Sequence, residues 1–126
     1  MTDESKADWT DNQIVQHMRD CAIQYSKCGF NVVKANRIMD KELRRSYELL
    51  KQKGDAALRK LLPLLHDENP TVRWVAAGFA YDVEPAACRR VLEQVMQERG
   101  VNGIMAFVTL AERNLDALPR LPECWT

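Results

Sequence analysis

His17, Cys21 and Cys28 lie at positions i, i+4 and i+11. On one helix all three can face the same side, and imidazole and thiolate are ordinary zinc ligands. A fourth ligand has to come from elsewhere, such as Cys88 or Cys124, and the spacing is that of no known zinc module. The other reading is a core cysteine with a surface histidine beside it. A thiol nucleophile needs a base within reach and an orienting group. His17 next to Cys21 is the one local pair of that kind, and no oxyanion-binding element accompanies it. Asp67 and Glu68 are paired carboxylates, but a polar turn lacks the burial that raises a carboxyl pKa for acid–base work. Gly100-Val101-Asn102-Gly103 has no following Lys-Ser and reads as a helix break, not a phosphate loop. No catalytic residue, metal or cofactor is assigned, and the expectation is a protein that is not an enzyme.

Binding candidates are stronger. The chain carries 18 basic and 18 acidic residues, a net charge of zero. That balance speaks against a dedicated nucleic-acid binder, which usually has a basic excess. Neutrality conceals a bias, however. Met1 to Ser26 holds five acids and two bases, a net of −3. Lys27 to Lys60 holds ten bases and four acids, a net of +6, and the remainder holds six bases and nine acids, a net of −3. The basic segment, with Arg37, Arg44 and Arg45 at its centre, is the one electrostatic feature a partner can read. It is a solvated face with local pairs such as Asp40 to Arg44, or a surface for an acidic protein, or a grip on phosphates. Trp74, Gly78 and Tyr81 form a second candidate, at i, i+4 and i+7 and offset from the Val72, Ala76, Phe79 face. Trp and Tyr are enriched at binding hot spots, and a glycine inside a helix admits a close approach at about 1 kcal/mol relative to alanine. The alternative is that Trp74 and Tyr81 pack on a neighbouring hairpin which Gly78 lets in.

The elements that would position these residues are all helical. Thr10 or Asp11 caps a first helix, Asp11 to about Lys27, with Ile14, Met18, Cys21 or Ala22 and Tyr25 inward. A long basic helix follows, Val32 to Gln52, opened by Phe30 or Asn31 and marked by Val33, Ile38, Leu43, Tyr47 and Leu50. It ends at Gly54. Asp55 caps a third helix with Leu58, Leu61, Leu62 and Leu65 inward and Pro63 kinking it. Pro70 suits the first turn of a fourth, with Val72, Val75, Ala76 and Phe79 inward. Glu84 and Pro85 start a fifth, and Asn102 to Ala117 makes a sixth with Ile104, Phe107, Val108 and Leu110 or Ala111 inward. Leu118 to Thr126 is an irregular tail. No segment alternates as a strand does, so the fold class is all-α.

At 126 residues and 46% hydrophobic the chain has the length and composition of one domain. Residues 1–9 read as a flexible tail and 10–126 as a single helical-repeat domain. Met1 to Trp9 is polar and acidic, unlike a signal peptide. No run approaches the roughly 18 apolar residues of a membrane span. Reduced cysteines and a cytoplasmic location are therefore expected, with no membrane partner. A shift of 31 residues superposes apolar positions, Leu61 on Leu92, Leu65 on Met96, Val75 on Ala106, Ala76 on Phe107 and Phe79 on Leu110. Stacked helix pairs hide their apolar faces from water in this way.

The run Leu58 to Ala80, LRKLLPLLHDENPTVRWVAAGFA, resembles a HEAT repeat. The family pattern is a leucine-rich helix, an Asp in the turn, a Val-Arg near the start of the second helix and a small Ala-Ala pair. Asp67, Val72, Arg73, Ala76 and Ala77 fall on those positions. The resemblance implies a short α-solenoid of about six helices in stacked antiparallel pairs, with Asp67 and Arg73 as scaffold. Most of the chain is also similar to a small bacterial family of uncharacterised proteins, the DUF family numbered two-thousand-nineteen. That similarity includes Glu84-Pro85-Ala86-Ala87 leading to Val91-Leu92-Glu93. Similar small helical-repeat proteins often serve as immunity proteins, so the analogy implies a binding protein that neutralises a cognate toxin.

Overall fold

The computed structural model describes residues 8–98 and 100–113. Among them every regular element is a helix. The chain gathers into two compact units, Met1–Leu61 and Leu62–Thr126.

The first unit opens with α1, Asp11–Ser26. Thr10 starts it with a reciprocal cap: its hydroxyl accepts from the Gln13 N–H, and the Gln13 side chain accepts from the Thr10 N–H. Such a box satisfies two backbone donors that a helix start otherwise leaves without intrahelical partners. Ile14, Met18, Cys21 and Ala22 form the buried stripe. Gly29, at φ +57°, turns the chain in a region that favours glycine. Asn31 caps the next helix through the Lys34 N–H.

That helix is the long one the sequence predicts, with an interruption. It runs as α2, Val32–Arg37, then a π-helical segment, Ile38–Leu43, then α3, Arg44–Lys53. Ile38 and Arg44 keep right-handed helical angles, so the rod is unbroken. Within the π segment the register slips by one, and the Arg44 N–H reaches back five residues to the Met39 carbonyl. Buried Ser46 donates its hydroxyl to the Glu42 carbonyl at 2.7 Å. Leu43 and Leu50 face the interior, and the π segment and α3 both pack on α1. Val33, expected inward, is 72% exposed. Gly54 at φ +109° ends α3, and α4, Asp55–Leu58, follows. Asp55 lies in the first turn of α4, and Gly54 occupies the cap position it was expected to fill.

The Pro63 kink takes the form of a tighter helix. Arg59–His66 is a 3₁₀ helix carrying Pro63. Proline has no N–H, and in an α-helix its ring meets the carbonyl four residues back, here that of Arg59. The 3₁₀ winding avoids that clash.

The second unit continues with α5, Pro70–Ala80, α6, Pro85–Met96, and α7, Val101–Arg113. Pro70 and Pro85 each occupy a first turn, where a missing N–H loses nothing. Asn69 caps α5 by accepting from the Thr71 N–H. All three helices touch one another. Their shared interior holds Val72, Val75, Ala76, Ala77, Ala80, Leu92, Val95, Met96, Ala106 and Leu110. On α7 the inward face agrees with the expected one at Leu110 and differs elsewhere. Gly103, Ala106 and Leu110 are buried, while Ile104 and Val108 are exposed. Close approach of α7 selects the small residues Gly103 and Ala106 beside Leu110 and turns Ile104 and Val108 outward. Residues 114–117 of the expected sixth helix, the tail 118–126 with Cys124, and most of the expected N-terminal tail lie outside the described residues.

Candidate functional site

The Trp74, Gly78, Tyr81 stripe is not an open surface. Trp74 is 4% exposed, and its indole N–H donates to Asn102 Oδ1 at 3.0 Å. The Thr71 hydroxyl donates to the same oxygen at 2.8 Å. One side-chain carbonyl with two lone pairs thus holds two α5 donors against the start of α7. Gly78 lies where α7 crosses: a methyl group on it would stand 2.9 Å from Thr109 Cγ2. The Gly78 carbonyl accepts from Arg113 at 2.7 Å, and Arg113 also pairs with Asp82 at 3.7 Å. Trp74 and Gly78 are therefore packing residues of the second unit, and Tyr81 is partly exposed. For Trp74 and Gly78 this is the packing alternative that the sequence left open; the group that draws Trp74 inward, Asn102, lies 28 residues away.

The two expected scaffold residues also lie in this unit. Asp67 accepts from the Asn69 N–H at 3.0 Å and shapes the turn before α5. Arg73 points to Glu98, 3.8 Å away, and Arg73 Nε and Glu98 Oε2 are buried without a hydrogen-bond partner of their own. Cys88 on α6 is fully buried, and its thiol is pushed up to about 11, first by burial and then by Glu84, against a lowering by Arg113. A thiol held neutral in this way is a poor nucleophile at neutral pH.

The basic segment forms a surface on the first unit. A groove of about 760 Å³ is lined by Gln24, Lys34, Arg37, Ile38, Asp40, Lys41, Glu42 and Arg45. Lys34, Arg37, Ile38, Lys41 and Arg45 recur at spacings of three and four, so the π-containing helix presents them along one side. Ile38 is 6% exposed and forms the apolar floor. Arg44 pairs with Asp40 at 3.6 Å and Arg45 with Glu48 at 4.0 Å. Among the described residues no ion pair involves Lys34, Arg37 or Lys41. One turn earlier stand three large apolar side chains in water: Phe30, Val32 and Val33, the first of them fully exposed. Arg37 and Arg45, expected as partner-binding residues, both line the groove, and Arg44 lies outside its lining with its charge already paired.

A third cluster lies beside the groove. His17 Nε2 is 3.4 Å from Cys21 Sγ and 3.7 Å from Glu42 Oε1. All three donor atoms lie within 4.8 Å of one another. Trp9 meets the His17 ring edge-on, with centroids 5.2 Å apart and planes at 78°. Cys21 is buried, and the His17 and Glu42 side chains are 23% and 36% exposed. Cys28, the third ligand considered from sequence, hydrogen-bonds instead to the Gln24 carbonyl. Glu42 gives no signal in the sequence because it comes from another helix, and an acid in a basic stretch reads as a local salt-bridge partner.

No protein-family model, no curated protein and no solved structure matches the chain. The functional reading therefore stands on the site itself. No described helix is long and apolar enough to cross a membrane.

Proposed function

We propose that the protein is a non-enzymatic binding module whose working surface is the groove on the π-containing helix, and that its partner is an acidic protein. The observation that carries this reading is the row of Lys34, Arg37 and Lys41 along the groove, preceded in the chain by exposed Phe30, Val32 and Val33. Protein interfaces combine an apolar centre with a polar rim, and desolvating aliphatic side chains supplies the affinity while charge sets the on-rate and register. Asp40 and Glu42 in the same groove repel a phosphate backbone but can pair with basic groups on a folded partner.

The most concrete form of this reading is a bacterial cytoplasmic immunity protein that occludes a cognate toxin. It rests on the HEAT-like run Leu58 to Ala80, with helix pairs stacked as a short solenoid, and on the similarity to the small bacterial family described above. A tight interface of this class buries about 1,600 Å² in total. The test is co-expression with the product of the adjacent gene. Growth should be restored by this protein and lost again with Arg37→Glu and Lys41→Glu together. A harmless neighbour, or toxicity that persists beside the unaltered protein, overturns the reading.

Nucleic acid is the alternative, favoured by the local net charge of the basic segment. Its affinity would fall steeply with salt, because each neutralised phosphate releases a counterion. Mobility shifts at low salt with duplex and single strands distinguish it, and a shift abolished by Arg37→Glu would move the assignment from protein to nucleic acid.

A further inference from the structure

We infer that His17, Cys21 and Glu42 form a binding site for a single Zn²⁺ ion. The inference stands on the geometry of this triad and does not depend on the identity of the groove's partner.

Two of the three distances lie close to the edges of a coordination tetrahedron. Zinc binds thiolate at about 2.3 Å, imidazole nitrogen at about 2.0–2.1 Å and carboxylate oxygen at about 2.0–2.2 Å. Tetrahedral angles then place nitrogen about 3.6 Å from sulfur and about 3.4 Å from oxygen. The structure has 3.4 Å for His17 Nε2 to Cys21 Sγ and 3.7 Å for His17 Nε2 to Glu42 Oε1. The remaining edge, sulfur to oxygen, lies within 4.8 Å. Coordination requires that edge to be about 3.6 Å, so the partly exposed Glu42 side chain has to move toward Cys21 when the ion binds.

Sulfur and carboxylate converge on the same ring nitrogen, Nε2. Neutral imidazole, thiolate and carboxylate together balance the charge of a divalent cation. Imidazole with thiolate selects zinc over magnesium or calcium, which take oxygen ligands.

The fold holds the triad from two sides. His17 and Cys21 are one turn apart on α1, and the π segment of the opposite helix carries Glu42. π turns are rare and recur at functional sites. The Ser46 hydroxyl bonds the backbone carbonyl of Glu42, and the Trp9 ring packs against that of His17. Three protein ligands leave a fourth position, open to water or to a group bound in the groove that Glu42 also lines.

The experiment uses the full chain without an affinity tag, stripped of metal and titrated with Co²⁺ as a spectroscopic stand-in. A thiolate-to-cobalt charge-transfer band and tetrahedral d–d bands should saturate at one equivalent, and one equivalent of Zn²⁺ should bleach them. Cys21→Ser should remove the charge-transfer band, and Glu42→Gln should weaken binding at least about tenfold. Cys28→Ser should leave both unchanged. No band at one equivalent overturns the site, as does a band that survives in Cys21→Ser. Should Cys21→Ser fail to fold by circular dichroism, Glu42→Gln decides: unchanged Co²⁺ affinity there overturns the site.

Discussion

The two units place their polar side chains to opposite ends. In the second, polar groups lock helices together: Asn102 ties Thr71 and Trp74, and Arg113 holds the Gly78 carbonyl. Small residues there, Ala76, Ala77, Gly78, Ala80, Gly103 and Ala106, bring three helices into close contact. In the first unit the distinctive polar residues face outward or toward one another, as a basic groove and a His–Cys–Glu triad. One unit is closely packed through its small residues, and the other carries a basic groove on a helix that contains a π segment.

That contrast breaks most readily at the core of the second unit. Leu92 is fully buried on α6. Leu92→Ala should destabilise by about 2–5 kcal/mol, the transfer term plus the cavity left behind, read from the urea midpoint. A loss below 1 kcal/mol would mean that the three-helix core is loosely packed. The glycines sharpen the point. A methyl on Gly103 runs into the backbone carbonyl oxygen of Glu98, which cannot yield, whereas one on Gly78 meets only the tip of the Thr109 side chain. Gly103→Ala should destabilise by about 2–3 kcal/mol from overpacking. Gly78→Ala should change stability by less than about 1 kcal/mol, because helix propensity offsets the contact. Equal effects at the two positions would remove the backbone-versus-side-chain distinction.

Asn102→Ala should destabilise by about 1–3 kcal/mol, since two α5 donors lose their acceptor. The Trp74 fluorescence maximum should move with it. Cys88 adds a pH dependence. Its folded-state pKa, about 11, lies above the ordinary 9.0, so the folded chain holds the thiol proton more tightly than the unfolded one. The resulting stabilisation is full below pH 9 and is lost as pH rises toward about 11. The stability difference between the unaltered protein and Cys88→Ala should therefore shrink over that window, and a difference constant from pH 8 to 11 would contradict it. The smallest effect belongs to the first unit's surface. Arg37→Glu should change stability by less than about 0.5 kcal/mol while changing binding strongly, which separates a recognition residue from a structural one.

Much of the fold is legible in the residues. Thr10 with Gln13, Asn31, Gly54, Pro70 and Pro85 mark helix ends by their own chemistry, and the spacings of Ile14, Met18 and Cys21 and of Leu58, Leu61 and Leu65 show buried faces. What stays hidden depends on distant partners. Periodicity favours large apolar residues, so Ile104 and Val108 read as inward although close packing takes Gly103 and Ala106 instead. Trp74 reads equally as a binding anchor or as a packing residue until Asn102 is brought beside it. The triad is half legible: His17 and Cys21 stand one turn apart in the sequence, but Glu42 joins them only when α1 and the π segment pack together. The basic character of the second helix is legible in its composition, but which of its arginines line the groove depends on the π segment between Arg37 and Arg44.

The most direct test of the division between a packing unit and a recognition unit is the growth-rescue assay with two variants matched for folding. Beside the toxic neighbour's product, the Arg37→Glu, Lys41→Glu protein should fold normally by circular dichroism and fail to restore growth, while Tyr81→Ala in the second unit should restore it fully. Rescue that survives the charge reversal and is lost with Tyr81→Ala would contradict the assignment and move recognition to the second unit.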